Sequence, residues 1–171
     1  LVEAGGSDEA GTVLDPARWP ENLGSERDWG FQAQPSRHLN GRTLSMSMGK
    51  GLGGGSSVNS MIGLRGHPGD FDRWATIAGP EWSWERVAPY YRKLERDLDF
   101  ATPDHGTQGP IPIRRHARSE WPPFCKAVES ALLKRNIPFF PDANDPRVGD
   151  GMSAVPMTNL PTQRVSAAMG Y

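Results

Sequence analysis

Gly49-Lys50-Gly51-Leu52-Gly53-Gly54-Gly55-Ser56-Ser57-Val58-Asn59-Ser60-Met61 decides how this chain is read. Glycine permits positive φ and lets the backbone approach another surface closely. Successive N–H groups in such a run can form a concave anion site. The Ser-Ser-Val-Asn tail then offers hydroxyl and amide groups for aiming a polar ligand. A linker can also be glycine-rich, but this run leads straight into Val58, Met61, Ile62 and Leu64, which suit a core. Ligand contact and a tight turn both remain open on these residues alone.

Two better-known phosphate loops do not fit. A P-loop needs Gly, four residues, then Gly-Lys-Ser/Thr. Position 44 is Leu, and Gly51 follows Lys50. The dinucleotide pattern Gly-x-Gly-x-x-Gly can be laid on Gly49, Gly51 and Gly54, but no long buried strand precedes it.

Outward from the loop, Leu1-Val2-Glu3-Ala4-Gly5-Gly6 reads as the end of a buried strand and a glycine turn. An acid at the end of the second strand of a dinucleotide fold holds ribose hydroxyls, which is a candidate role for Glu3 beside that of an ordinary strand-end acid. Residues 7–41 read as loop pinned by Trp19, Trp29 and Phe31, and 42–48 as a short strand. The spacing predicts a helix over 68–77 with Phe71, Trp74, Ala75 and Ala78 on one face. Ser83 is expected to cap a short turn over 84–88, with a new helix starting at Pro89 and burying Tyr90, Tyr91, Leu94 and Leu98. An edge strand is expected over 110–114, a helix over 122–136, a strand over 152–159 and a helix from Arg164.

The charge of −1 over 171 residues, without a basic stripe, gives nucleic-acid binding no electrostatic support. No run has the apolar length of a membrane span. The single Cys125 favours a reducing, cytoplasmic setting and reads as a small, partly buried apolar residue. His67 is expected to be a cap or surface group. His38, His105 and His116 lack metal spacing, so no metal site is expected. The first residue is not Met, and the chain reads as an internal piece of a longer protein.

Together these residues resemble the glucose–methanol–choline (GMC) family of flavin-dependent oxidoreductases. The likeness runs from the loop at 49–59 through Arg65-Gly66-His67-Pro68-Gly69-Asp70-Phe71-Asp72-Arg73-Trp74 and covers nearly the whole chain. It implies an α/β fold: part of an FAD-binding Rossmann-like domain with the start of an α+β substrate-binding domain. Residues 1–108 would belong to the FAD-binding part, 109–160 to the substrate-binding part, and 161–171 to the return. FAD would be held by Glu3, Gly49, Gly51, Leu52, Gly53, Gly54, Asn59, Ser60, Met61 and Ile62. Val58 stands where some members carry a flavin-linked His, which implies noncovalent FAD. Gly63 replaces a usual aromatic or Ala and is expected to loosen packing beside the flavin. A small alcohol would be the substrate, with oxygen or another acceptor. The catalytic histidine is expected beyond Tyr171, so no catalytic residue is assigned. A truncated noncatalytic module, or a nonredox lyase of the same fold, is the alternative.

Overall fold

The computed structural model describes residues 1–171. They form two compact units, 1–61 with 159–171, and 62–158. The sequence-drawn line at 108 falls inside the second unit. The reason is a strand pairing across it: β3 (Glu95–Asp97) runs parallel to β4 (Ile111–Ile113). The chain re-enters the first unit at 159.

The first unit is mostly irregular. It holds α1 (Gly11–Leu14), a 3-10 turn at Pro16–Asn22, and the antiparallel pair β1 (Phe31–Gln32) and β2 (Ser45–Met46). Near its end the antiparallel pair β7 (Asn159–Leu160) and β8 (Gln163–Arg164) precedes α5 (Ala167–Gly170). Val13, Val58 and Met61 are its buried apolar residues. Trp29 and Phe31 stack at 5.8 Å but stay half-exposed. Leu1 and Val2 are fully exposed and form no strand, contrary to expectation. Only Gly6 bridges, to Gly51, so the segment has no ladder to join.

The second unit is built on α2 (Pro68–Ala78) and α3 (Trp84–Leu94), followed by β3, β4, α4 (Pro123–Leu133), β5 (Phe139–Phe140) and β6 (Met152–Ser153). Pro68 opens α2, where a missing N–H costs nothing. The His67 ring accepts the Gly69 N–H at 3.1 Å, so His67 is a cap. Phe71 is the buried centre, with Trp74, Trp84 and Tyr91 around it at 5.3–6.0 Å. Gly63 does not loosen packing here: a Cβ would meet Ile113 Cδ1 at 2.9 Å and Thr158 Cγ2 at 3.0 Å. The space is already filled.

Five local expectations are corrected. α3 is one helix through Pro89, because Trp84 and Tyr91 hold it against Phe71 while Ala88 is buried and Pro89 faces out. The side chain of Ser83 makes no cap bond; Asp72 of α2 accepts the Trp84 N–H instead, at 3.1 Å. The helix stops at Leu94, and Tyr90, Leu94 and Leu98 are exposed. The strand expected over 152–159 is broken into short pieces, and Cys125 is exposed. No helix is long and apolar enough to cross a membrane.

Pro89 leaves the Glu85 carbonyl without its i+4 donor. Pro89→Ala is therefore expected to raise stability by about 1–2 kcal/mol, the restored hydrogen bond being partly offset by a freer unfolded chain. Chemical denaturation of both proteins checks this; an unchanged or lower midpoint for the variant contradicts it.

Candidate functional site

The glycine loop is closed by backbone packed on backbone. A Cβ at Gly49 would lie 2.2 Å from the Gly54 oxygen, and one at Gly5 2.3 Å from the Lys50 oxygen. Only glycine fits at either position. Gly53 and Gly54 turn the chain with φ of 80° and 55°. The serines lock the turn: Ser56 Oγ donates to Gly53 O and Ser57 Oγ to Leu52 O, each at 2.6 Å. Asp28 holds the incoming stem, accepting N–H groups from Gly30, Gly24 and Met48. Those bonds, Gly30's first, hold its carboxyl well below the usual carboxylate range.

The other side of the loop is open. Nothing lies within 4 Å of where a Cβ would project from Gly6, Gly54 or Gly55. The loop thus has a closed inner side that shapes it and bare backbone on its outer side. Glu3 is exposed and accepts the Gly5 N–H at 2.8 Å, so its carboxylate belongs to the segment packed on Lys50.

The remaining expected positions divide. Leu52 and Ser60 are half-buried, and Asn59 is exposed. Met61 is buried in left-handed backbone (φ 61°), its N–H donated to Asn59 Oδ1 at 2.9 Å. Ile62 is exposed and opens the second unit, pairing with Met157. Glu3, Gly49, Gly51, Leu52, Gly53, Gly54, Asn59, Ser60 and Met61 all fall in the first unit.

Sequence reasoning missed the residue that ties this unit together. Arg164 is fully buried. Its Nε donates to Val13 O at 2.9 Å, one terminal nitrogen to Ser56 O (2.9 Å) and Asn59 Oδ1 (3.0 Å), and the other to Asn59 O (2.7 Å). Burial without a carboxylate partner lowers its pKa to about 10, still protonated at neutral pH. A buried cation held only by carbonyls is the signal, and it needs tertiary structure to be seen.

The second unit holds a different cluster. His105 is buried between Asp142 (Nε2, 2.9 Å), Asp97 (Nδ1, 3.0 Å) and Glu95 (Nδ1, 3.2 Å). Arg65 pairs with Glu95, and Arg115 with Asp97 and Asp142. Burial opposes charge on the imidazole, but the bonds to Asp142, Asp97 and Glu95 outweigh it and raise His105 to about 11. Burial likewise opposes charge on Asp97, yet His105, the Asp99 and Phe100 N–H groups and Arg115 lower it to about 2. Three cations thus face three carboxylates. Glu95, Asp97 and His105 offer ligand-type atoms within 4.8 Å of one another. Both ring nitrogens are already engaged by carboxylates, and two guanidinium groups supply the positive charge an ion would bring. The arrangement is an ion-pair cluster.

A family model described as GMC oxidoreductase matches residues 1–171. The chain belongs to the GMC oxidoreductase family. Among curated relatives, 5-(hydroxymethyl)furfural oxidase from Methylovorus sp. (strain MP688) is 42% identical over 124 residues, covering 72% of this chain and 23% of that protein. Oxygen-dependent choline dehydrogenase from Sinorhizobium fredii (strain NBRC 101917 / NGR234) is 31% identical, covering 100% and 31%. Among solved structures, pyridoxine 4-oxidase from Mesorbium loti superposes with a TM-score of 0.91 at 27% identity, covering 100% of this chain and 33% of that one. The chain thus spans a third or less of the length of these GMC relatives. FAD is the family's cofactor, and an Aspergillus oryzae formate oxidase studied for its FAD modification is a solved neighbour. The α/β fold class stands with the family.

The loop suits that cofactor. Bare glycine backbone gives a flat group close access. Asn59 adds an amide donor, and Arg164 adds a buried positive charge behind it.

Proposed function

We propose that this chain is part of an FAD-dependent enzyme that oxidises a small alcohol, with the first unit holding the cofactor. The observation that carries this reading is the open glycine face at Gly6, Gly54 and Gly55, beside the Glu3 segment and Asn59. Glu3 would take the adenosine ribose hydroxyls. Gly49, Gly51, Leu52, Gly53 and Gly54 would shape the wall against which the cofactor lies. Asn59, Ser60, Met61 and Ile62 would continue along it toward the reacting ring. FAD, when bound, supplies the hydride acceptor; the chain supplies position, dryness and charge. Val58 is buried and carries no nucleophile, which supports noncovalent attachment.

The division into a cofactor part at 1–108, a substrate part at 109–160 and a return at 161–171 is proposed at the level of function, alongside the two compact units. The catalytic base would lie outside residues 1–171. A cytoplasmic setting is in keeping with the exposed free thiol of Cys125.

The test uses the full-length protein. A flavin absorption spectrum is expected, with the yellow colour released into the supernatant on acid precipitation. Anaerobic addition of an alcohol from an aliphatic, aryl, sugar and choline panel is expected to bleach it. Flavin that stays with the precipitate would overturn noncovalent binding. Flavin that no alcohol bleaches would favour a nonredox lyase.

A further inference from the structure

We infer that Arg164 is a positioning residue for the cofactor: it occupies the oxygen of the Asn59 amide so that the NH2 end is presented outward to an anionic ligand. The inference rests on the FAD reading above, but its first observation does not need it. Asn59 Oδ1 receives two donors, an Arg164 terminal nitrogen at 3.0 Å and the Met61 N–H at 2.9 Å. Two donors can meet only at an acceptor, so the amide has one orientation and cannot flip. Its Nδ2 has no acceptor in the protein and sits on an exposed residue. A neutral side chain is thereby fixed as a donor.

The charge behind it points the same way. Arg164 uses four N–H donations, all to amide or peptide oxygens. No carboxylate is within ion-pairing reach, and burial alone shifts its ionisation. The ion-pair cluster of the second unit is balanced within itself; this guanidinium is not. A buried, unbalanced cation is unfavourable until an anion arrives nearby. Arg164 also bonds Ser56 O, so the same side chain sets the outgoing turn of the glycine loop. The ligand chemistry that answers both features is a diphosphate: oxygens to accept from Nδ2 and negative charge to answer the guanidinium. In FAD that group is the pyrophosphate.

Asn59→Asp gives a test with opposite signs in two readouts. The carboxylate would sit at 3.0 Å from the guanidinium and make the missing ion pair, so the flavin-stripped, full-length protein is expected to melt at a higher temperature. The same change removes the outward donor and cancels the charge, so FAD retention is expected to fall about 10- to 100-fold, the worth of a hydrogen bond to a charged group. Arg164→Met should abolish the thermal gain of Asn59→Asp in the double variant. Arg164→Lys should keep the charge, lose the fork and bind FAD with intermediate affinity. Wild-type FAD affinity in Asn59→Asp would overturn the outward donor. A lowered stripped-protein melting temperature would overturn the Arg164–Asn59 coupling. If the wild type binds no FAD, the functional reading fails, while the melting comparison still decides the coupling.

Discussion

Replacing His105 with Gln is expected to destabilise the protein by about 3–5 kcal/mol at pH 5.5, because it leaves buried carboxylates short of a cation. Glu95, Asp97 and Asp142 would then share only Arg65 and Arg115. The effect should depend on pH with a definite sign. His105 is raised in the fold to about 11 from its ordinary 6.5. Its contribution is fully present below about 6.5 and is lost as pH rises toward 11. The difference between wild type and variant should therefore shrink steadily as pH rises above 6.5. The carboxylates act at the other end. Asp97 is lowered to about 2 from 3.8, so its contribution is present above 3.8 and is lost as pH falls toward 2. The cluster therefore supports the fold most between about pH 4 and 6.5. Denaturant unfolding of wild type and His105→Gln at pH 5.5, 7.5 and 9.5 should give curves that converge with rising pH. A gap that stays constant would mean the histidine is not charged in the fold.

Gly49→Ala is expected to cost about 3 kcal/mol and to release FAD, since the added carbon would lie against the Gly54 carbonyl and one stretch of backbone must move. Gly54→Asn is the informative partner. Residue 54 is left-handed at φ 55°, a conformation Asn tolerates, and nothing stands where its Cβ would project. Its stripped-protein stability should stay within about 1 kcal/mol of wild type. FAD binding should nonetheless be lost, because the new side chain would occupy the bare face. Flavin content and melting temperature, read together, separate the two. A Gly54→Asn protein that keeps its flavin would mean the cofactor does not lie on that face.

The glycine loop, α2 and α4 were legible in the sequence because their signals are local: φ freedom in the first, a proline start with helical apolar spacing in the others. Pro89 misled for the same reason. A rule about one residue and its own turn was outweighed by contacts from Phe71, eighteen positions earlier. Glu95-Arg96-Asp97 fell inside the helix expected from Pro89 and is a strand with its acids buried. Their partners come from positions 65, 105 and 115, the third carboxylate comes from position 142, and no window of sequence contains them together. His105 looked idle in a polar stretch on the same grounds. The positions expected to hold the cofactor were found by kinship and by glycine content. Arg164, which fixes one of them, was read as the start of the final helix and part of the return, because nothing beside it in the chain explains why a guanidinium should be buried.

Arg164 also sets a schedule for synthesis. It lies 105 residues after Asn59 and 108 after Ser56. A ribosome adding about 5–20 residues per second needs roughly 5–20 s to cover that distance. Throughout that interval the nascent loop lacks its buried fastener, and the amide of Asn59 has only the Met61 N–H to orient it. On the proposed reading, cofactor capture by this part of the protein would wait for the emergence of one basic side chain.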